Sequence, residues 1–158
     1  MRKTIVLISW AMILLLSISA SPAGASSPPI AVNFEVETHI FPDGTQPNGG
    51  PFTASGPAVD AGMICATGQT IDVFLKAAGF RSSRITNFQV IKHFICHDGS
   101  GEFSLKLQVL VDWRGDNYNW VIISGTGNYV KLHGTGQGVG LPADYGVLDL
   151  FEGAIHFD

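Results

Sequence analysis

The sequence predicts a single all-β domain, built as a small antiparallel β-barrel of about eight strands. Apolar residues recur at every second position along most of the chain, and turn residues separate these alternating stretches. No stretch combines helical periodicity with a helix cap over ten or more residues. Glycine supplies 19 of the 158 residues, and one glycine-rich stretch has a spacing that suits a sharply curved strand.

Composition and charge narrow the classes of protein to be considered. Hydrophobic residues make up 46% of the chain and charged residues only 14%, which is typical of a folded domain and not of a disordered one. The formal net charge is −4, and it becomes −6 when the two positive residues Arg2 and Lys3 are left out. The remaining chain has no basic run, so we expect no nucleic-acid partner and no electrostatic membrane anchor.

The first 25 residues are predicted to be a secretory signal peptide. Arg2 and Lys3 form a positive start, Ile5–Ile18 is almost entirely apolar, and Ala23–Ala25 offers the small residues that a signal peptidase accepts. The apolar run is shorter than the ~20 residues of a membrane span. We therefore expect cleavage after residue 25, a secreted or extracytoplasmic location, and no stable membrane span afterwards. A retained signal anchor is the alternative.

Residues 26–31 are then an extended leader, and residues 32–158 form the barrel domain. One helical turn is possible over Phe74–Ala78. Each candidate strand follows the alternating pattern or a short apolar run, and together they are Val32–Ile40, Thr70–Leu75, Ile85–Cys96, Phe103–Trp113, Trp120–Gly125, Tyr129–Gly134, Gly136–Leu141 and Val147–Phe157.

Turn-forming residues lie between these strands. A long loop is expected over Pro42–Pro51, and hairpin connections over Asp98–Gly101 and Arg114–Asn119. In Gly134–Gly140, glycine at every second position removes the side chains from one strand face, so that aromatic rings such as Trp120 and Tyr129 could lie over the bare backbone. A dinucleotide-binding loop does not fit, because Leu-Pro follows this stretch where that motif requires a helix.

Two stretches carry a resemblance to known proteins. Trp120–Gly136 combines an apolar strand, Gly-Thr-Gly, an aromatic residue, a short strand and Gly-x-Gly, and it resembles the closing half of allene oxide cyclase-like and dirigent-like barrels. Cys96–Gln108 is similar to a stretch in small exported bacterial proteins that share this barrel. The resemblance implies a barrel that binds a hydrophobic or phenolic molecule, and in some relatives one that steers a cyclisation or coupling. No catalytic residue of those enzymes maps onto a matching position here.

The chain has two cysteines, Cys65 and Cys96, which lie 31 residues apart. An even number of cysteines in an exported protein predicts a disulfide bond between them. Two buried free thiols, or one cysteine bound to a metal ion, are the alternatives.

Neither a metal site nor a cofactor site is predicted. Glu35 and Glu37 share a strand face with polar neighbours, so this face should point to water. His93 and His97 share a face, but residues four apart on a strand are separated by ~13 Å, which is too far to hold one ion. The acidic and hydroxyl side chains over Asp98–Glu102 suit a tight hairpin better than a calcium site.

Lys92 is the most informative polar residue, because it interrupts the apolar face of its predicted strand. An inward ammonium group near a barrel mouth could hold the acidic end of a ligand against an aromatic wall. A lysine that extends to the rim and into water is the alternative. The candidate ligand-binding residues are Lys92, Trp113, Trp120 and Tyr129.

Two classes of function remain open at this point. The first is an exported barrel that binds a small hydrophobic or amphipathic ligand, or serves as a stable extracytoplasmic module. The alternative is a cyclase- or isomerase-like enzyme that guides the cyclisation of a hydrophobic substrate inside the barrel. No Ser-His-Asp order and no nucleophile elbow is present, so a hydrolase is not supported.

Overall fold

The computed structural model describes residues 27–78, 86–112 and 115–158, and it confirms the predicted fold class. Eight antiparallel strands form one closed barrel, in which each strand pairs with the next along the chain and the last pairs with the first. The strands are β1 (Ile30–His39), β2 (Gly49–Ser55), β3 (Thr67–Ala78), β4 (Thr86–Cys96), β5 (Glu102–Asp112), β6 (Gly115–Gly125), β7 (Leu132–Ala143) and β8 (Gly146–Phe157).

Helical structure is limited to two short pieces among the described residues. The helix α1 covers Pro57–Asp60, and one 3-10 turn covers Gly127–Tyr129. The described part of the chain contains no helix with the length and apolarity needed to cross a membrane.

The predicted number of strands is right, but two errors offset each other. The strand β2 was not predicted: its first three residues lie in the loop predicted over Pro42–Pro51, and its ladder to β1 is interrupted at Gly50 and Pro51. The two strands predicted on either side of Thr135 are one continuous strand, β7, which pairs with β8 over its whole length.

Two predictions of local structure are wrong. No helical turn forms over Phe74–Ala78, because β3 continues through these residues and keeps its pairing with β4 across a register shift between Phe74 and Lys76. The hairpin connection expected over Arg114–Asn119 is shorter, since β6 already begins at Gly115. Ile30 and Ala31, expected in the leader, belong to β1, and Ser27 is already hydrogen-bonded to Phe157.

The two ends of the barrel differ. At the end that we call the disulfide end, the connections β2–β3, β4–β5 and β6–β7 lie together with α1 and the 3-10 turn. Cys65 and Cys96 are joined there by the predicted disulfide bond, with their Sγ atoms 1.95 Å apart and their Cα atoms 6.0 Å apart. At the opposite end, which we call the cavity end, the chain turns from β1 to β2 and from β7 to β8.

Aromatic side chains fill the middle of the barrel. Phe34 lies at the centre, with its ring centroid 5.3 Å from that of Phe94, 5.9 Å from Phe103 and 6.2 Å from both Trp120 and Phe151. These rings are buried and meet mostly in tilted or edge-on arrangements, which aromatic pairs prefer. The packed middle confines any ligand space inside the barrel to its ends.

The glycine-rich strand β7 provides room for two aromatic rings. A Cβ atom at Gly136 would lie 2.5 Å from the indole of Trp120, and one at Gly138 would lie 2.3 Å from the ring of Tyr118. The indole Nε1 donates toward the backbone oxygens of Gln137 and Glu152, each at 3.2 Å. The expectation of a ring over bare backbone is confirmed for Trp120, whereas the second ring belongs to Tyr118 and not to Tyr129.

Candidate functional site

Lys92 points into the barrel. Alternate residues of β4 share one face, and Lys92 lies there between Val90 and Phe94. Only 1% of Lys92 is exposed to solvent. The side chain therefore does not extend to the rim and into water, which was the alternative reading of this position.

The ammonium group of Lys92 is fully engaged by acceptors from three other strands. Its Nζ atom lies 2.7 Å and 3.0 Å from the two carboxylate oxygens of Asp72, and 3.3 Å from Oδ2 of Asp149. It also donates to Oγ1 of Thr38 at 2.9 Å, and the Thr38 hydroxyl donates in turn to Asp149 Oδ2 at 2.6 Å. An ammonium group has three protons, and these three partners account for all of them.

The sheet register explains why these groups meet. Asp72 is directly opposite Lys92 in the pairing of β3 with β4, so both side chains point to the same face. Asp149 on β8 pairs with Val36, which is buried in the interior, and Thr38 follows two residues later on the same face of β1. We call Thr38, Asp72, Lys92 and Asp149 the ion cluster.

Two further polar residues of β6 lie beside the ion cluster. The hydroxyl of Tyr118 is 3.1 Å from the backbone oxygen of Val139 and 3.4 Å from Oδ1 of Asp149. Asp116 is half-buried and close enough to Asp149 for the two carboxyl groups to interact electrostatically. The ion cluster and its surroundings thus contain one ammonium group and three carboxyl groups, two of which contact Lys92.

Burial changes the acidity of these groups. Desolvation raises the pKa of Asp72 above its ordinary 3.8, although the charge of Lys92 opposes this rise. Desolvation, with a smaller contribution from the charge of Asp149, also raises the pKa of Asp116. Burial and then the charge of Asp149 raise the pKa of Tyr118 above its ordinary 10, so its hydroxyl is protonated and can donate.

A cavity of about 200 Å³ lies against the ion cluster and extends to Ile40 and Asn48, which follow β1 at the cavity end. Its polar lining consists of the ion cluster with Asp116, Tyr118 and Asn48. Its apolar lining comes from Ile40, Phe88, Val90, Leu107, Val109 and Val147. An apolar wall with a few converging polar groups is typical of small-molecule sites.

Three of the four residues that the sequence analysis proposed for a ligand are described, and the structure separates these three. Of the described residues among them, Lys92 lines this cavity, and Trp120 and Tyr129 do not. Trp120 is packed against the β7 glycines, as described above. Tyr129 lies at the disulfide end, where its hydroxyl accepts a hydrogen bond from the Cys65 N–H at 3.1 Å and is 2.6 Å from Ser100 Oγ. Trp113 lies outside the described residues.

Sequence reasoning missed most of the polar lining. The sequence analysis did not identify Asp72 and Asp149 because each lies between two apolar residues. Ile71 and Val73 flank Asp72, and Leu148 and Leu150 flank Asp149. This pattern predicts that the apolar neighbours are buried and that the aspartates point to water. Asp116 was assigned to a loop. The one signal that could have indicated these aspartates is Lys92 itself. A lysine that points into a barrel needs carboxylates on other strands of that barrel.

The outer surface carries a second, shallower depression of about 860 Å³. Amide side chains on directly paired positions cross it, and Gln137 Nε2 donates to Glu152 Oε1 at 2.6 Å within that row. Glu35, which also lines the depression, is exposed as the sequence analysis expected, and so is Glu37. Most of the residues that line this depression are polar, and it is more open to solvent than the inner cavity, so we place the candidate site at the inner cavity.

The histidines considered for a metal ion lie apart from the cavity. Nδ1 of His93 is 2.7 Å from the Ser104 hydroxyl, and His97 is exposed near the disulfide end. Within residues 27–78, 86–112 and 115–158, no three His, Cys, Asp or Glu side chains are placed to hold a metal ion.

Comparisons with known proteins give no further guide to the site. No family model, no curated protein and no solved structure matches the chain.

Proposed function

We propose that this protein is an exported barrel that binds a small amphipathic molecule in the cavity beside Lys92. The observation that supports this proposal is the joining of an apolar wall to a buried polar cluster within one cavity at the end of a packed barrel. Export is supported by the signal-like pattern of residues 1–25 and by the Cys65–Cys96 disulfide bond.

The volume of the cavity sets the size of the ligand. An apolar protein cavity of about 150 Å³ accommodates benzene. A cavity of about 200 Å³ therefore suits one ring, or a short alkyl chain, together with a small polar group. We propose that the apolar part lies against Val90, Leu107 and Val109, and that the polar group faces the ion cluster.

The barrel offers a direct test through a substitution that fills the cavity. Val90→Phe adds a ring to the cavity wall, and Val90 is only partly buried, so the change should be tolerated. We expect 2-phenylethanol, a one-ring probe, to bind the unaltered protein in isothermal titration calorimetry and to lose at least about tenfold in affinity for Val90→Phe.

Val121→Phe is the matched control, because Val121 lies on the outer face of β6 and is 39% exposed. This variant should bind the probe like the unaltered protein. If both variants bind equally well, the ligand does not occupy this cavity and the proposal is wrong. Native mass spectrometry of protein purified from its own host would reveal a ligand that is retained during purification.

A further inference from the structure

We infer that the cavity selects ligands whose polar end is a cation, such as a primary ammonium group on a one-ring or short alkyl body. The inference rests on the proposed function, and it names the chemical class of the ligand. The ligand charge inferred here is opposite in sign to the one expected from Lys92 alone, which favours an acidic ligand. The contacts and the balance of charge within the cavity lead to it.

The first step concerns Lys92. Its Nζ atom already lies 2.7 to 3.3 Å from oxygen atoms of Thr38, Asp72 and Asp149. A ligand carboxylate could bind Lys92 only by displacing one of these acceptors, and it would then lie beside two aspartates. Like charges in a buried site repel each other strongly, because little water screens them.

The second step concerns the acceptors that remain. Oδ1 of Asp72 is buried, and although it lies 2.7 Å from Lys92 Nζ, it has no partner in hydrogen-bonding geometry among the described residues. Asp116 lines the cavity, and no hydrogen bond or ion pair joins its carboxyl group to any residue within the described ranges. The cavity thus contains more acceptors than donors.

The third step is the charge of the whole site. Three carboxyl groups and one ammonium group line the cavity, and no second lysine, arginine or histidine is among the described lining residues. A bound ammonium group would bring a second positive charge and three protons toward Asp116 and Asp149. An alcohol could supply one proton and no charge, whereas a carboxylate would bring a negative charge and no proton.

Three probes of matched shape test this inference on the mature protein. They are 2-phenylethylamine, 2-phenylethanol and phenylacetate, each with one ring and one polar end. At pH 7 we expect the amine to bind about tenfold more tightly than the alcohol, because a hydrogen bond to a charged group is worth more than a neutral one. Phenylacetate should bind more weakly than the alcohol.

Asp116→Asn identifies the carboxyl group responsible. It keeps the shape of the side chain and removes its charge, so the ratio of the affinity for the amine to that for the alcohol should shrink severalfold. Asp98→Asn is the control, because Asp98 is exposed in the β4–β5 turn at the disulfide end and the change has the same effect on net charge.

The outcomes separate this inference from the proposed function. If the three probes bind equally, or phenylacetate binds best, the cavity binds ligands but the inference is wrong. If Asp98→Asn reduces the preference as much as Asp116→Asn does, the preference comes from the overall charge of the protein and the inference is also wrong. If no probe binds the unaltered protein, both the inference and the proposed function fail.

Discussion

A buried ammonium group is stable only where it has compensating charges, and Lys92 obtains them from the adjacent strand β3 and from β8 across the barrel. Asp72 and Asp149 supply negative charge, and the Thr38 hydroxyl bridges Lys92 and Asp149. The cost of removing these groups from water offsets much of the attraction between them, so the cluster as a whole contributes little net stability. Its members nevertheless depend on one another, because the loss of one leaves the others buried without a partner.

Replacement of Lys92 tests this dependence. We expect Lys92→Met to lower the free energy of unfolding by about 3 to 5 kcal/mol at pH 7, because two buried carboxylates lose their counter-charge. Lys106→Met is the control, since Lys106 lies on the outer face of β5 and such changes usually stay within about 0.5 kcal/mol. Urea unfolding followed by circular dichroism measures both values, and equal stability of the two variants would contradict the role given to Lys92.

The stability of Lys92→Met should also depend on pH in a defined direction. Because burial raises the pKa of Asp72 in the folded state, the stability that this residue contributes is fully present below its unfolded value near 3.8 and is lost as the pH rises through the raised pKa. Without Lys92 the charge that opposes this rise is gone. The loss of unfolding free energy in Lys92→Met should therefore become smaller as the pH is lowered from 7 toward 4. If Lys92→Met does not fold at pH 7, the double variant Lys92→Met/Asp72→Asn should recover part of the lost stability.

The inward position of Lys92 could be predicted from the sequence, but that of its partners could not. Alternation along β4 places Lys92 among buried residues, whereas in β3 alternation suggests the wrong face. Ile71 and Val73 are apolar and yet exposed, at 36% and 43%, while Asp72 between them points inward. Burial of Asp72 follows from its pairing with Lys92, which is a contact between strands and leaves no trace in the local pattern.

At the level of the strand, β7 shows how glycine makes space for a large ring. Gly136 pairs with Gly153 on β8, and the indole of Trp120 covers both backbones from inside the barrel. The residue is 2% exposed, and its indole N–H donates toward backbone oxygens of both strands, those of the next pair in the ladder, Gln137 and Glu152. The bare strand face is therefore occupied by a specific side chain and does not open toward a ligand.

Addition of a single methyl group to β7 should disturb this packing. A Cβ atom at Gly136 would lie 2.0 Å from the Glu152 oxygen and 2.5 Å from Trp120, so both would have to move. We expect Gly136→Ala to destabilise the barrel by about 1 to 3 kcal/mol, which is the usual cost of overpacking. Thr135→Ala, on the exposed face of the same strand, should change stability by less than about 1 kcal/mol, and thermal unfolding of both variants would reveal whether the difference exists.

The bounds of β2 and β7 could not be predicted from the sequence, for related physical reasons. Glycine and proline at Gly49–Pro51 are typical of a turn, yet these residues pair with β3, and the break at Pro51 affects only the ladder to β1. In β7 the repeated glycines also resemble turn residues, but a partner on each side fixes them as a strand. In both places, pairing with neighbouring strands overrides the local preference.

Over the whole molecule, the barrel divides into an end that is cross-linked by the disulfide bond and an end that contains the inner cavity. At the disulfide end, Tyr129 links Cys65 to Ser100, and a stacked pair of rings, Phe94 and Phe103, lies next to it with centroids 4.8 Å apart. At the cavity end the interior is lined by polar groups and encloses space. Under the proposed function, the disulfide end would mainly stabilise the fold and the cavity end would recognise the ligand.

Removal of the disulfide bond should therefore change stability without changing recognition. The bond closes a loop with a sequence separation of 31, so we expect the double variant Cys65→Ser/Cys96→Ser to lose about 3 to 4 kcal/mol of unfolding free energy. Because the cavity lies at the opposite end of a packed aromatic core, the folded fraction of this variant should bind 2-phenylethanol with the affinity of the unaltered protein. Chemical denaturation and calorimetry at a temperature where both proteins are folded measure the two quantities separately. A large loss of affinity in the folded variant would show that the two ends are coupled through the core, and the division of roles proposed for them would then be wrong.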